Sequence, residues 1–115
     1  MHELSIALSI IDAAEEEVAR QGGGSVFAVH LRLGPLSGVT KEALLFSYNL
    51  ACEGTSLEHS TLLIEDIAIS IWCSQCEQES APVSLQQLHC ARCGMPAARL
   101  VSGSELEVSA LELQA

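Results

Sequence analysis

The stretch Thr61-Leu62-Leu63-Ile64-Glu65-Asp66-Ile67-Ala68-Ile69-Ser70-Ile71-Trp72 runs straight into Cys73-Ser74-Gln75-Cys76. Thr61 to Trp72 is rich in isoleucine and alternates in polarity, which reads as one strand. Glu65-Asp66 marks a kink or a switch of face within it. Then the character changes. Residues 73–98 hold four of the five cysteines, few large apolar side chains, and the turn formers Pro82, Gly94 and Pro96. Beyond them Arg99 to Val101 and Ser104 to Leu113 read as strands again. The cysteine segment is therefore expected as an insertion ahead of the last strand.

Upstream, residues 2–21 read as an amphipathic helix with a stripe of Leu4, Ala7, Leu8, Ile11, Ala14 and Val18. Gly22-Gly23-Gly24 stops it, because glycine takes the backbone conformations that end a helix without steric cost. Val26 to Leu33 reads as a strand, with Phe27, Val29, Leu31 and Leu33 alternating against Ala28, His30 and Arg32. Gly34-Pro35 ends it. Thr40 stands where it can cap a second helix carrying Ala43, Leu44, Phe46, Tyr48, Leu50 and Ala51. The expected fold is α+β: a three-stranded sheet with two helices on one face, plus an inserted four-cysteine module of zinc-ribbon type.

The cysteines fall as Cys73-x-x-Cys76, thirteen residues, then Cys90-x-x-Cys93 followed by Gly94. A two-residue spacer lets both sulfurs of a pair reach one ion, and zinc favours four ligands in a tetrahedron. Four protein ligands leave no open coordination position, so the site reads as structural and not hydrolytic. Iron in a rubredoxin-like tetrathiolate has the same geometry, and a redox dithiol is a further reading. Cys52 lies at the end of the second helix pattern and reads as a small buried residue. His30 and His59 read as structural. His89 beside Cys90 reads as a surface histidine or an extra ligand.

Composition narrows the functions. The chain has 115 residues and a net charge of −10, from 15 acidic and 5 basic residues. With four thiolates and one zinc ion the charge becomes about −12. Phosphate backbones and anionic membranes require clustered Lys and Arg, so neither nucleic acid nor a membrane surface is an expected partner. A metal cation or a basic protein fits better. No stretch approaches the roughly 18 apolar residues of a membrane helix, and no signal peptide is visible, so a cytoplasmic protein is expected. Aromatics are only 3 %, so the core must be aliphatic.

At the start stands Met1-His2-Glu3-Leu4. A histidine in second position can chelate through its Nδ1 and its own backbone nitrogen. The terminal amine lies one residue before it and the Glu3 amide one residue after. Nickel(II) in a square plane accepts such nitrogens. The plain alternative is a solvated histidine at a chain end.

Met1-His2-Glu3-Leu4-Ser5-Ile6-Ala7 closely resembles the opening of the HypA/HybF family of hydrogenase maturation factors. Leu33-Gly34-Pro35-Leu36-Ser37-Gly38-Val39 is similar to that family's strand-to-helix turn, and Glu42-Ala43-Leu44-Leu45-Phe46-Ser47-Tyr48 to its second helix. The two cysteine pairs fall where the family holds zinc. The resemblance covers nearly the whole chain. It implies a nickel metallochaperone, not an enzyme, that helps insert nickel into [NiFe]-hydrogenase and in some relatives serves urease. It implies His2 as a nickel ligand, with Met1 and Glu3 beside the ion through backbone groups or the Glu3 carboxylate. It implies Cys73, Cys76, Cys90 and Cys93 as ligands of a structural zinc. A nickel-binding part over residues 1–72 and 99–115 and a zinc-binding part over 73–98 follow. Implied partners are a GTP-hydrolysing nickel chaperone and the hydrogenase large-subunit precursor; between a monomer and a homodimer the sequence leaves the choice open. Relatives can carry an acidic residue where this chain has Thr40.

Two other classes compete. A zinc-ribbon interaction module would show no specific nickel affinity. A rubredoxin-like electron carrier would hold iron. The chain has neither a phosphate-cradling loop with Lys-Ser/Thr nor a Gly-x-Ser-x-Gly elbow, so an ordinary enzyme is disfavoured and any GTP hydrolysis must come from a partner.

Overall fold

A computed structural model describes residues 2–114. Helix α1 spans Glu3–Arg20, strand β1 Ser25–Leu33, helix α2 Lys41–Ala51 and strand β2 Thr61–Asp66. Strands β3 (Ser70–Cys73), β4 (Gln78–Ser80), β5 (Arg99–Ser102) and β6 (Leu106–Gln114) follow. They form two three-stranded sheets, ordered β2-β1-β6 and β4-β3-β5. The fold is α+β, as expected. Among the described residues no helix is long and apolar enough to cross a membrane.

The chain divides into two compact units. The first holds the residues up to Leu31, then Gly38–Glu65, and those from Glu107 onward. The second holds Arg32–Ser37 and Asp66–Leu106, a wider span than the cysteine segment itself.

In the first unit α1 and α2 pack together. The α1 residues that go inside are Ile6, Ala7, Ile10, Ile11, Ala14 and Val18. The expected stripe was wrong at one flank: Leu4 and Leu8 are 41 % and 46 % exposed, and Ile6 and Ile10 take their place. Both flanks of the Ala7-Ile11-Ala14-Val18 line are apolar, so helical period alone could not choose between them. Phe27 and Phe46 also stay outside, at 58 % and 67 % exposure. The core is instead aliphatic around fully buried Tyr48, whose hydroxyl lies 2.6 Å from Ser60 Oγ. Helix α1 ends as expected. Gly22 and Gly23 take φ of +96° and +102°, and the Gly23 N–H donates to the Val18 carbonyl at 2.8 Å.

Thr40 occupies the N-cap position of α2, but its side chain makes no capping bond. Its backbone N–H donates instead to Glu3 Oε2 at 3.3 Å.

The single strand expected over 61–72 is two strands. Residues 67–69 belong to neither, and β3 lies in the other sheet from β2. The anticipated kink at Glu65-Asp66 is thus the place where the chain leaves one sheet for another. Ile64 to Ile67 is an odd step, so the isoleucine alternation changes parity across this break.

In the second unit β3 pairs antiparallel with β4 (Ile71↔Ser80, Trp72↔Glu79, Cys73↔Gln78) and with β5 (Ile71↔Leu100, Trp72↔Arg99). The Arg99 guanidinium lies 5.4 Å from the centre of the Trp72 ring, within the range of a cation–π contact. Gly34 touches the backbone of Gly103. Its N–H donates to the Glu105 carbonyl at 2.8 Å, and Leu36 N–H donates to the Gly103 carbonyl at 2.7 Å. A Cβ at Gly34 would stand 2.2 Å from the Gly103 oxygen, so no side chain fits there.

Candidate metal centre

Two matching turns carry the cysteines. Cys73 ends β3, and its carbonyl accepts the Glu77 N–H at 2.8 Å. Cys90 makes an isolated bridge with Pro82, and its carbonyl accepts the Gly94 N–H at 2.8 Å. In both turns the residue four places on takes positive φ: +54° at Glu77 and +80° at Gly94. Glycine adopts that conformation freely, whereas glutamate does so at a steric cost.

These turns bring the sulfurs of Cys73, Cys76, Cys90 and Cys93 within 4.8 Å of one another, and Cys73 and Cys93 approach to 3.4 Å. A tetrahedron with metal–sulfur bonds of about 2.3 Å has sulfurs about 3.8 Å apart, so the cluster fits one ion. Cys73 and Cys90 are buried, while Cys76 and Cys93 are more open. Donors converge on the sulfurs: the Cys76 N–H reaches Cys73 Sγ at 3.4 Å. The Cys90 thiol is brought down to about 6, first by the Cys93 N–H, then by the Ser80 hydroxyl and the Arg92 N–H. Its neighbour Cys76 is pushed up to about 12, chiefly by the Cys93 sulfur. Four sulfurs this close cannot all be charged on their own, and a divalent cation removes the conflict.

Among the described residues this is the one group of three or more His, Cys, Asp or Glu side chains with metal-site geometry. His89 is not part of it. Cys52 is buried, its Sγ 4.0 Å from Ser60 Oγ, and burial raises its thiol pKa, as suits a core residue.

The other predicted site residues lie at the start of α1. His2 is exposed and is the N-cap of the helix; its Nδ1 accepts the Leu4 N–H at 3.3 Å. The Glu3 carboxyl is held below the ordinary range, first by the Thr40 N–H and then by its own N–H. Met1 lies outside the described residues.

The geometry defines a small α+β metal-binding protein with a four-cysteine centre and a histidine-capped first helix. Comparison with known proteins makes this specific. The HypA family, described as hydrogenase/urease nickel incorporation metallochaperones, matches residues 1–113, and the chain belongs to that family. It is 44 % identical over 114 residues to the hydrogenase maturation factor HypA of Roseiflexus sp., covering 99 % of this chain and 93 % of the relative. With the HypA of Chloroflexus aurantiacus it shares 42 % over 112 residues, covering 97 % and 98 %. Its fold is similar to the solution structure of the nickel metallochaperone HypA from Helicobacter pylori, with a TM-score of 0.68, 23 % identity, and coverage of 100 % and 99 %. A second solution structure of a HypA protein gives a TM-score of 0.74 at 23 % identity, over 99 % and 97 % of the chains.

Sequence reasoning missed two contributors. Glu3 is the acceptor for the Thr40 N–H, a role that its place beside His2 in the sequence does not announce. Ser80 carried no motif at all.

Proposed function

We propose that this chain binds nickel(II) at its first residues and hands it on during maturation of a [NiFe]-hydrogenase, while its four cysteines hold a structural zinc ion. The observation that carries the nickel reading is the placement of His2. The ring is exposed at the helix start, where the first N–H groups of α1 have no partner within the helix. Nickel would take Nδ1 and the adjacent backbone nitrogens of Met1, His2 and Glu3. The cargo is thereby held at an open edge, from which it can leave, whereas the cysteine cluster encloses its ion on four sides.

Zinc suits the cysteine cluster because it accepts four thiolates in a tetrahedron and has no redox chemistry of its own. The nickel-binding part is then the helix-bearing unit, and the zinc-binding part centres on residues 73–98. The chain acts as a carrier, not an enzyme, in the cytoplasm. Its partners are a GTP-hydrolysing nickel chaperone, which supplies the phosphate chemistry this chain lacks, the hydrogenase large-subunit precursor, and a second copy in a homodimer. Exposed Phe27, Phe46 and Leu50 offer the apolar area such contacts bury. Urease is the second client that the family's description names.

Calorimetric titration with nickel on untagged wild type and His2→Ala, each assayed for bound zinc, tests the reading. Nickel binding should be lost in His2→Ala with zinc retained. Equal nickel affinity in both proteins would leave the plain zinc-ribbon module as the better account.

A further inference from the structure

The four sulfurs are not equally supported. Strand β4 ends at Ser80, whose hydroxyl lies 3.6 Å from Cys90 Sγ, a part-buried contact. The position is fixed on both sides. Ser80 is paired with Ile71 of β3, which is fully buried, and two residues on Pro82 bridges to Cys90 itself. The Val83 N–H then donates to the His89 carbonyl at 2.9 Å. The hydroxyl therefore reaches the sulfur without a flexible approach.

In the metal-free thiol state either atom could donate. A metal-bound cysteine has lost its proton, so in the loaded protein only the Ser80 O–H can donate and the sulfur can only accept. A tetrathiolate around a divalent ion carries two net negative charges on a chain already at −10. Hydrogen bonds to sulfur spread that charge, and groups behind metal ligands set ligand orientation and metal affinity. We infer that Ser80 is a positioning residue of the metal centre: its hydroxyl donates to the Cys90 thiolate, fixes the second cysteine pair on the ion, and slows loss of the metal. This rests on the reading of the cluster as a metal site.

Cobalt(II) is the probe, since it takes tetrahedral thiolate sites and its sulfur-to-metal charge-transfer band reports electron density on the sulfurs. The full chain is compared as wild type, Ser80→Ala and Ser80→Thr. Without the hydrogen bond the sulfur is a stronger donor, so the band of Ser80→Ala should move to longer wavelength. Zinc affinity of this variant should fall by about 10–100-fold, the usual effect of removing a group that orients a ligand, and zinc transfer to a chelator should be correspondingly faster. Ser80→Thr keeps the hydroxyl and should restore both. A wild-type band and transfer rate in Ser80→Ala would overturn the inference. So would faster transfer in both variants with an unmoved band, which marks a packing role. A wild-type chain that takes up neither cobalt nor zinc would be a different result, sinking the metal reading and this inference with it.

Discussion

The Nδ1 of His2 accepts the backbone N–H of Leu4 at 3.3 Å, so the proposed nickel ligand already serves as the cap of α1. The two roles use the same lone pair and exclude each other. They separate by substitution. His2→Asn keeps a good cap but loses the imidazole, and His2→Ala loses both. Denaturant unfolding should give His2→Asn a stability near wild type and His2→Ala a stability lower by about 0.5–1 kcal/mol, while neither variant binds nickel. Retained nickel binding in His2→Asn would contradict an imidazole ligand.

Nickel uptake should also release the Leu4 amide. Its NMR resonance should shift on adding nickel, and an N-terminal extension should suppress both the shift and the binding. An unmoved Leu4 signal in a nickel-saturated protein would exclude Nδ1 and point to the other ring nitrogen.

The Thr40 N–H donates to the Glu3 carboxylate and depresses its pKa. A depressed carboxyl stabilises the fold above its unfolded value, about 4.3, and loses that contribution as pH falls through the lower folded value. The Thr40 amide shift should therefore titrate with a midpoint below about 4.3 and stop titrating in Glu3→Gln. A midpoint at the ordinary glutamate value would mean that the bond is not held in solution.

Glu77 and Gly94 occupy the same place in the two cysteine turns, both at positive φ. Glu77→Gly relieves a conformation that costs an L-residue about 1–2 kcal/mol, partly offset by the greater freedom of glycine when unfolded. Zinc transfer to a chelator should be slower in Glu77→Gly than in wild type. Faster transfer would show that the glutamate side chain contributes more than its backbone costs.

Removing zinc should disorder residues 73–93 while much of the helical circular dichroism remains, because that stretch brings little apolar material of its own. Cys73→Ala should lose zinc and Cys52→Ala should keep it, since the Cys52 sulfur faces Ser60 and not the cluster. Equal zinc loss in both would undo the ligand assignment.

Much of this was legible in the residues, for identifiable reasons. The Cys-x-x-Cys pairs announced their cluster because two short turns suffice to build it. Helices α1 and α2 announced themselves by period and by glycine. The inward face of α1 was not legible, since Leu4 and Leu8 on one flank are as apolar as Ile6 and Ile10 on the other. Nor was the passage from β2 to β3 between sheets, because a strand pattern does not say which neighbour it will pair with. The Glu3–Thr40 bond joins residues 37 apart in sequence, and only the packing of α1 on α2 brings them together. The Ser80 hydroxyl was equally silent: a serine in a polar strand looks like any other until the fold aims it at a sulfur.

The backbone contact between Gly34 and Gly103 bears on anyone wishing to excise the cysteine unit. That unit is discontinuous, and the strip Arg32–Ser37 supplies the Gly34 and Leu36 N–H groups that engage Glu105 and Gly103. A peptide of residues 66–106 would leave those carbonyls to water and open a slot too narrow for anything but glycine. A faithful minimal module would need the strip Arg32–Ser37 supplied along with residues 66–106.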